Sequence, residues 1–445
     1  MATGKPAAML RLENPIQSLT HAFWLWKALL FIVIIACPGP GYDTSTTLIS
    51  YEGSDLTTSL PWPLKLARWD SIYFLRIAEQ GYVFEQEWAF GYPRVLGYFV
   101  SGLRKSGGLG GPVPIALIAV VLSHAAHYFS VLALYLLSAN IFGDETVTQK
   151  LICFLSAALH IISPAGAFLS APYGESIFSF LNFSGFYLYS GSLISERQGF
   201  TVLRDLQVLT AGGLFAIATM VRSNGILSGF LFAYDACLLI WTGLTKGLST
   251  RNIRRLIIIG VGGGTVALGM IVPQIQAYRT YCLTDLNREW CGRTLPSIYT
   301  WVQSYYWNVG FLRYWTVSNI PLFLLAAPVL FILGKSSMWA IRAPATLRSQ
   351  SGSSAPSPLS PGSMLFRLAI PQGLLAIMAL SSYHVQIINR ISSGYPVWYW
   401  YLVSIGMECL QDPRKNHRSL ALAAQAMVAY ALIQGVLYGS FLPPA

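Results

Sequence analysis

Long apolar runs separated by short polar stretches dominate this chain. The first extends from about Phe23 to Cys37 and is closed by Pro38-Gly39-Pro40. Further runs lie near 113–141, 151–169, 176–193, 207–221, 225–243, 256–276, 319–334, 364–388, 397–410 and 419–439. A hydrocarbon core about 30 Å thick needs roughly 20 apolar residues in a helix. Only helices and closed barrels satisfy their backbone groups there. The eleven runs therefore predict an all-α polytopic membrane protein. Several are short, so the expected count is eight to eleven transmembrane helices. The first run is too long and aromatic for a signal peptide and has no small-residue cleavage site after it, so it reads as a retained helix. Residues 1–445 then form a single membrane domain. Its one break is the Ser/Pro/Gly-rich stretch 345–363, which reads as a flexible cytoplasmic linker.

Composition excludes the other classes. Charged residues make up 11% of the chain, less than half the roughly 25% of a soluble domain. A length of 445 residues would suit three soluble domains, but so little charge cannot cover their surfaces. Disorder needs low hydrophobicity and high charge, whereas this chain is 54% hydrophobic with a mean hydropathy of +0.52.

The net charge is +11. In a soluble protein such an excess would suggest nucleic acid. Here the basic residues fall in alternate loops. Lys246, Arg251, Arg254 and Arg255 share one loop without an acid. Lys335, Arg342, Arg348 and Arg367 share another, and Arg414, Lys415 and Arg418 face only Asp412. With eleven spans and a cytoplasmic N-terminus, all three loops are cytoplasmic, as the positive-inside rule requires. The charge reports topology, and no nucleic-acid partner is expected. The opposite loops are 41–112, 277–318 and 389–396.

The first of these outer loops holds the most chemistry. In Arg68-Trp69-Asp70-Ser71-Ile72-Tyr73-Phe74-Leu75-Arg76-Ile77-Ala78-Glu79-Gln80-Gly81, apolar positions 72, 74, 75 and 78 make one helical stripe. Gly81 is a natural stop. The helix is too short and charged to span, so it is expected to lie in the interface with Trp69, Tyr73 and Phe74 among the headgroups. Asp70 falls at its N-cap. Two compatible roles follow: a cap for the first turn, or a general base at the membrane surface. Capping bonds would lower its pKa and keep it ionised. Glu85 and Glu87 either support Asp70 or are solvated loop acids.

Ionisable residues in or beside spans are costly and each suggests function. Glu175, Arg222, His384 and Arg390 all map to the face that carries Asp70. The two arginines and the histidine would suit a phosphate. The competing reading is interfacial snorkelling, or pairing with Glu175. In loop 277–318, eleven of 42 residues are aromatic, about twice the chain's 13%. They form either an interfacial belt or a platform for sugar rings. Cys282 and Cys291 share that loop and would bond in an oxidising compartment. His124 and His127 have a metal-compatible spacing but no nearby carboxylate, and read as buried, hydrogen-bonded histidines. No phosphate-binding Gly-rich loop, dinucleotide fingerprint or zinc motif is present.

Several stretches together carry a family resemblance. They are Arg68-Trp69-Asp70-Ser71-Ile72-Tyr73-Phe74, Ile77-Ala78-Glu79-Gln80-Gly81-Tyr82, Glu85-Gln86-Glu87-Trp88-Ala89-Phe90, Val221-Arg222-Ser223-Asn224-Gly225, Tyr305-Tyr306-Trp307-Asn308-Val309-Gly310-Phe311, Leu324-Leu325-Ala326-Ala327-Pro328, and the run from Gln386 to Trp400. In this order the chain resembles the PIG-V family, GPI mannosyltransferase II, and looks like a fungal member. It departs at Phe90-Gly91-Tyr92-Pro93, where the family's run is more aromatic and Pro-rich. The resemblance implies a GT-C glycosyltransferase of the endoplasmic reticulum membrane. Its large first lumenal loop, 41–112 here, would bear the catalytic acid. It further implies transfer of mannose from dolichyl-phosphate mannose, α-1,6, onto the first mannose of the GPI precursor, and an accessory membrane subunit. On this basis Asp70 is the expected base, and Arg222, Arg390 and His384 the expected donor-phosphate ligands. Arg68, Trp69, Glu79, Glu85, Glu175, Asn224, Trp307 and Asn308 are expected to support the site or the acceptor. No metal or cofactor is expected, because a lipid monophosphate carries less charge than a nucleotide diphosphate. Another dolichyl-phosphate-sugar transferase, or a lipid-linked sugar flippase, would share some of these features.

Overall fold

The computed structural model describes residues 13–38, 41–43, 45, 60–81, 91–105, 111–247, 249–283, 288–350, 362–411 and 419–443. Among these the regular structure is helical. Helix α1 (Pro15–Ala36) is followed by three shorter helices, α2 (Trp62–Lys65), α3 (Asp70–Gln80) and α4 (Tyr92–Lys105). Then come α5 (Pro112–Phe142), α6 (Val147–Ile161), α7 (Glu175–Gln198), α8 (Thr201–Val221), α9 (Phe230–Lys246) and α10 (Thr250–Tyr281). The short α11 (Ile298–Tyr305) precedes α12 (Ile320–Gln350), α13 (Gly362–Ser381), the single turn α14 (Ile388–Ile391), α15 (Val397–Gln411) and α16 (Ser419–Gly439).

Each of the eleven apolar runs forms a helix. Among the described residues, eight stretches are long and apolar enough to cross a membrane: Pro15–Ala36, Pro112–Phe142, Thr201–Val221, Ser223–Lys246, Thr250–Tyr281, Val317–Arg342, Ser363–Ser381 and Ser419–Gly439. Their outer surfaces expose large apolar side chains, such as Leu25, Ile32, Val121, Phe129, Ile257, Val261 and Phe331. In water such a surface would be an aggregation liability, but in lipid it faces its own kind of solvent. Helices α6 and α15 are short, with 15 residues each. Helix α7 is long enough but too polar, and it packs between α5 and α8. Its Asn182 is fully buried, donating to the Gly394 carbonyl at 2.9 Å and accepting from Ser228 Oγ at 2.6 Å. A helix enclosed by protein can carry such groups because each finds a partner.

Small residues set the spacing of α8 and α10. A Cβ on Gly212 would lie 2.7 Å from the Gly262 carbonyl oxygen, and one on Gly269 would collide with the Ala216 carbonyl. This close approach, usual for glycines between membrane helices, brings the C-terminal half of α10 beside the end of α8.

The linker and the basic loops differ from expectation. Helix α12 continues to Gln350, so 345–350 is helical, while 351–361 lies outside the described residues. Arg251 meets Glu196 at 2.5 Å and Arg254 meets Asp205 at 2.6 Å. Arg204 also meets Glu196, at 2.6 Å, and Arg367 meets Asp235 at 2.5 Å. The loops that lack acids in sequence thus draw them from helices α7, α8 and α9. Lys27, within α1, is buried and donates to the Leu169 carbonyl and Ser170 Oγ, each at 2.8 Å. His127 is buried against His160, with ring centroids 4.9 Å apart, and His124 Nδ1 lies 2.8 Å from the Val120 carbonyl.

Candidate active site

A cavity of about 430 Å³ opens at one end of the bundle. Its wall is drawn from the C-terminal ends of α8 and α10, the N-terminal ends of α3 and α4, the turn before α7, the start of α9's approach, α11, and the 383–391 stretch between α13 and α15. These are the connections that loop charge assigns to one side of the membrane. Asp70, Arg222, Asn224, Trp307, His384 and Arg390 all line it.

Asp70 is not a cap. The chain enters α3 through Trp69, whose φ of +56° makes it the non-helical N-cap residue, and Asp70 is the first helical residue with no side-chain capping bond. A bulky residue in the left-handed region is disfavoured and persists only where its surroundings enforce it. Here the enforcement is visible. Tyr173 Oη donates to the Arg68 carbonyl at 2.9 Å, Tyr438 Oη to the Leu66 carbonyl at 2.8 Å, and Ser71 Oγ to the Arg68 carbonyl at 2.6 Å. The Trp69 ring meets Phe441 edge-on at 5.0 Å, and its Nε1 is buried without a hydrogen-bond partner among the described residues.

The rest of α3 is also more buried than an interfacial helix. Ile72, Phe74, Leu75 and Ala78, the predicted stripe, are all buried. Phe74 packs edge-on to Tyr92 at 5.5 Å and Tyr173 at 5.6 Å, and only Tyr73 of the three expected headgroup aromatics is exposed. The helix packs against α4 and α5, so the stripe meets protein instead of lipid.

Glu175 is the centre of the charged group. It occupies the first turn of α7 and is fully buried. Its carboxylate suits that position, where the helix dipole favours negative charge. Arg222 Nη1 donates to Glu175 Oε1 at 2.7 Å, and Arg390 Nε lies 3.4 Å from the same oxygen. Glu175 Oε2 and Arg222 Nε are buried without partners among the described residues. Arg222 sits where α8 stops and a 3-10 turn, Ser223–Gly229, begins. Gly225 is required in that turn, because a Cβ there would lie 2.6 Å from the Thr219 nitrogen. Arg390 is framed by aromatic faces, 4.6 Å from the Phe168 centroid and 5.7 Å from that of Tyr173.

These charges act on Asp70. Burial raises the Asp70 carboxyl above its ordinary value; Arg390 opposes this most, Glu175 reinforces it, and Arg222 opposes it. The capping argument thus pointed the wrong way: desolvation outweighs the favourable charges. For Arg390, burial works against the charge, but Glu175 and Asp70 hold its pKa above the ordinary value.

The other expected residues divide. His384 Nε2 lies 2.7 Å from the Trp307 carbonyl, and its ring stacks on Tyr314 at 4.6 Å. Asn224 donates to Tyr395 Oη at 3.2 Å. Arg68 is buried away from the cavity lining, with Nη2 3.4 Å from the Gly439 carbonyl and its guanidinium 4.9 Å from the Phe441 centroid. Glu79 and Asn308 also lie outside the lining, and Glu85 lies outside the described residues, as does Glu87. Cys282 and Cys291 are joined in a disulfide. The aromatic loop divides: Trp290 is fully buried, Phe311 and Trp315 are exposed, and Tyr299 and Trp307 line the cavity.

Sequence reasoning missed Tyr92, Phe168, Tyr173 and Gln274, whereas Gln303, one of the polar residues interleaved with the aromatics of loop 277–318, does line the cavity. Tyr92 and Tyr173 lie in motif-like stretches beside Pro and Gly, which was a usable signal. The glutamine at 274 sits inside an apolar run next to Pro273, and only the fold brings it to the site.

Comparison with known proteins is extensive. The family profile described as Mannosyltransferase (PIG-V) matches residues 55–445. A protein of Aspergillus oryzae named GPI mannosyltransferase 2 is 52% identical, covering 100% of both chains. Proteins of the same name from Aspergillus fumigatus and Gibberella zeae are 52% and 43% identical, covering 97% of this chain and 94% and 98% of their own. Among solved structures, an Archaeoglobus fulgidus oligosaccharyltransferase, AglB, bound to an inhibitory peptide and a dolichol-phosphate gives a TM-score of 0.47 at 12% identity, over 94% of this chain and 56% of that one. At that distance the structural likeness carries no argument.

Proposed function

The chain belongs to the PIG-V mannosyltransferase family, and from that premise we propose that it transfers mannose from dolichyl-phosphate mannose, α-1,6, onto the first mannose of the GPI-anchor precursor. The observation that carries the mechanism is one cavity lined by an acid, Asp70, and by two arginines, Arg222 and Arg390. Inverting transfer between two lipids needs a base for the attacking hydroxyl and positive charge for the departing phosphate.

In this reading the acceptor's 6-hydroxyl oxygen attacks the anomeric carbon as Asp70 takes its proton. The bond from that carbon to the phosphate oxygen breaks, and its electron pair leaves with dolichyl phosphate. A buried carboxylate with a raised pKa is a stronger base than an exposed one. Arg222 and Arg390 stabilise the charge that grows on the phosphate, with His384 at the rim. Glu175 keeps both guanidinium groups in place before substrate arrives. No step is assigned to a metal. The reading puts the reaction in the endoplasmic reticulum, with the N-terminus cytoplasmic and the cavity lumenal; the family supports the compartment, and the basic loop before α10, whose Arg251 pairs with Glu196 at the end of α7 opposite Glu175, supports the orientation. An accessory membrane subunit is proposed on the family resemblance alone, and co-purification of a tagged chain tests it.

The test is direct. Purified protein in detergent is given labelled dolichyl-phosphate mannose and a mannosyl-GPI acceptor. The proposal requires an α-1,6-linked product from wild type and none from Asp70→Asn at equal protein. Equal transfer by Asp70→Asn would remove Asp70 from the mechanism.

A further inference from the structure

One cavity group has no task in the mechanism above. Gln274 lies on α10 immediately after Pro273 and lines the cavity. Its Oε1 accepts from the Tyr299 backbone N–H at 3.2 Å and from Ser297 Oγ at 3.1 Å. A backbone N–H can only donate, so the atom facing it must be the amide oxygen. The orientation of the side chain is therefore fixed, and its nitrogen, with two N–H donors, faces away from both partners. Among the described residues that nitrogen has no hydrogen-bond acceptor.

The neighbourhood says what it would meet. Tyr299 Oη pairs with Ser223 Oγ at 2.9 Å, and Ser223 follows Arg222. Gln274 thus sits on the same wall as the arginine clamp, with Tyr299 and Trp307 offering aromatic faces nearby. A phosphate oxygen would be held by the arginines. A neutral, pre-oriented amide donor beside aromatic faces suits the lone pair of a sugar hydroxyl.

We infer that Gln274 donates from Nε2 to a hydroxyl of one of the two sugars and helps select that substrate. This rests on the mannosyltransferase reading. Two variants separate substrate recognition from support of the wall. Gln274→Glu keeps an oxygen for Tyr299 and Ser297 but lacks the N–H donors. Gln274→Met is neutral and lacks both. Each is assayed by varying donor and acceptor separately, with analogues in which single sugar hydroxyls are replaced by hydrogen. Loss of one neutral hydrogen bond predicts a rise of about three- to tenfold in the KM of one substrate for both variants. Which KM rises identifies the sugar as donor or acceptor. One deoxy analogue should be penalised by a similar factor with wild type and by little with either variant, since the partner is already gone. A purely structural glutamine would not produce that non-additivity. Unchanged KM values in both variants, or equal deoxy penalties in wild type and variants, would overturn the inference while leaving mannosyl transfer intact. Failure of wild type to transfer mannose would instead overturn the functional reading beneath it.

Discussion

Replacing Arg222 by Lys isolates the geometry of the clamp from its charge. Arg222 spends one Nη1 donor on Glu175 Oε1 at 2.7 Å, and its Nε is buried without a partner among the described residues. The remaining donors belong to the planar end of the guanidinium; the side chain is 21% exposed and lines the cavity. A lysine ammonium keeps the positive charge but cannot hold Glu175 and a phosphate oxygen in the same rigid fork. Loss of one hydrogen bond to a charged group costs about 1.5–3 kcal/mol. That converts to a fall of about ten- to a hundredfold in kcat/KM for the donor. Because the phosphate gains charge as the sugar leaves, part of the loss should appear in kcat as well as in KM. The assay is labelled mannose transfer in detergent at fixed acceptor and varied dolichyl-phosphate mannose. If Glu175 acts by orienting Arg222, adding Glu175→Gln should cost less than it does alone. A donor kcat/KM unchanged by Arg222→Lys would refute the clamp, because it would mean charge anywhere near the phosphate suffices.

Further expectations follow from the same geometry. Burial raises the Asp70 pKa, so kcat/KM should climb with pH along an acid limb above the ordinary carboxylate range; a limb at or below that range would contradict the desolvated base. The linkage sign is that a raised folded-state pKa favours folding with the proton on, and this contribution is lost as pH rises through it. Asp70→Asn should therefore be no less heat-stable than wild type at neutral pH while inactive, as thermal inactivation monitored by fluorescence would report. Glu175→Gln strands two cations, and breaking a fully buried pair costs about 3–5 kcal/mol. With Arg222 and Arg390 21% and 16% exposed, about 2–3 kcal/mol is expected after screening, measurable as earlier thermal inactivation and partly restored by added dolichyl phosphate. The Cys282–Cys291 bond closes a loop of sequence separation 9, worth about 2–3 kcal/mol on chain entropy; dithiothreitol should lower the inactivation temperature of wild type but not of Cys282→Ser/Cys291→Ser.

The helices were readable because lipid-facing and core-facing surfaces are both apolar, so a run signals a helix whichever neighbour it meets. The same fact hid the difference between them. Residues 176–193 looked like a span, yet α7 is enclosed by protein and tolerates Asn182 and several serines. Asp70, Glu175, Arg222 and Arg390 are legible because ionisable groups beside apolar runs are costly, whereas Asn224 is legible only through the family-like stretch around Arg222. Lys27 carries that same signal inside the first run, but its partners, Leu169 and Ser170, are distant in sequence. The raised pKa of Asp70 is illegible for a related reason. A cap is a local feature, but Tyr173, Tyr438 and Phe441, which force the turn at Trp69, arrive from far along the chain. Gln274 and the aromatic frame of Arg390 likewise depend on which helices meet.

The central claim is that this cavity joins mannose to a mannosyl-GPI lipid. The most direct measurement is structural identification of the product formed by purified protein from dolichyl-phosphate mannose and that acceptor, with a chelator present. The account predicts one added mannose, linked α-1,6 to the first, formed at the same rate with and without chelator and absent with Asp70→Asn. A different linkage, transfer only to another acceptor, or transfer that the chelator abolishes would contradict it.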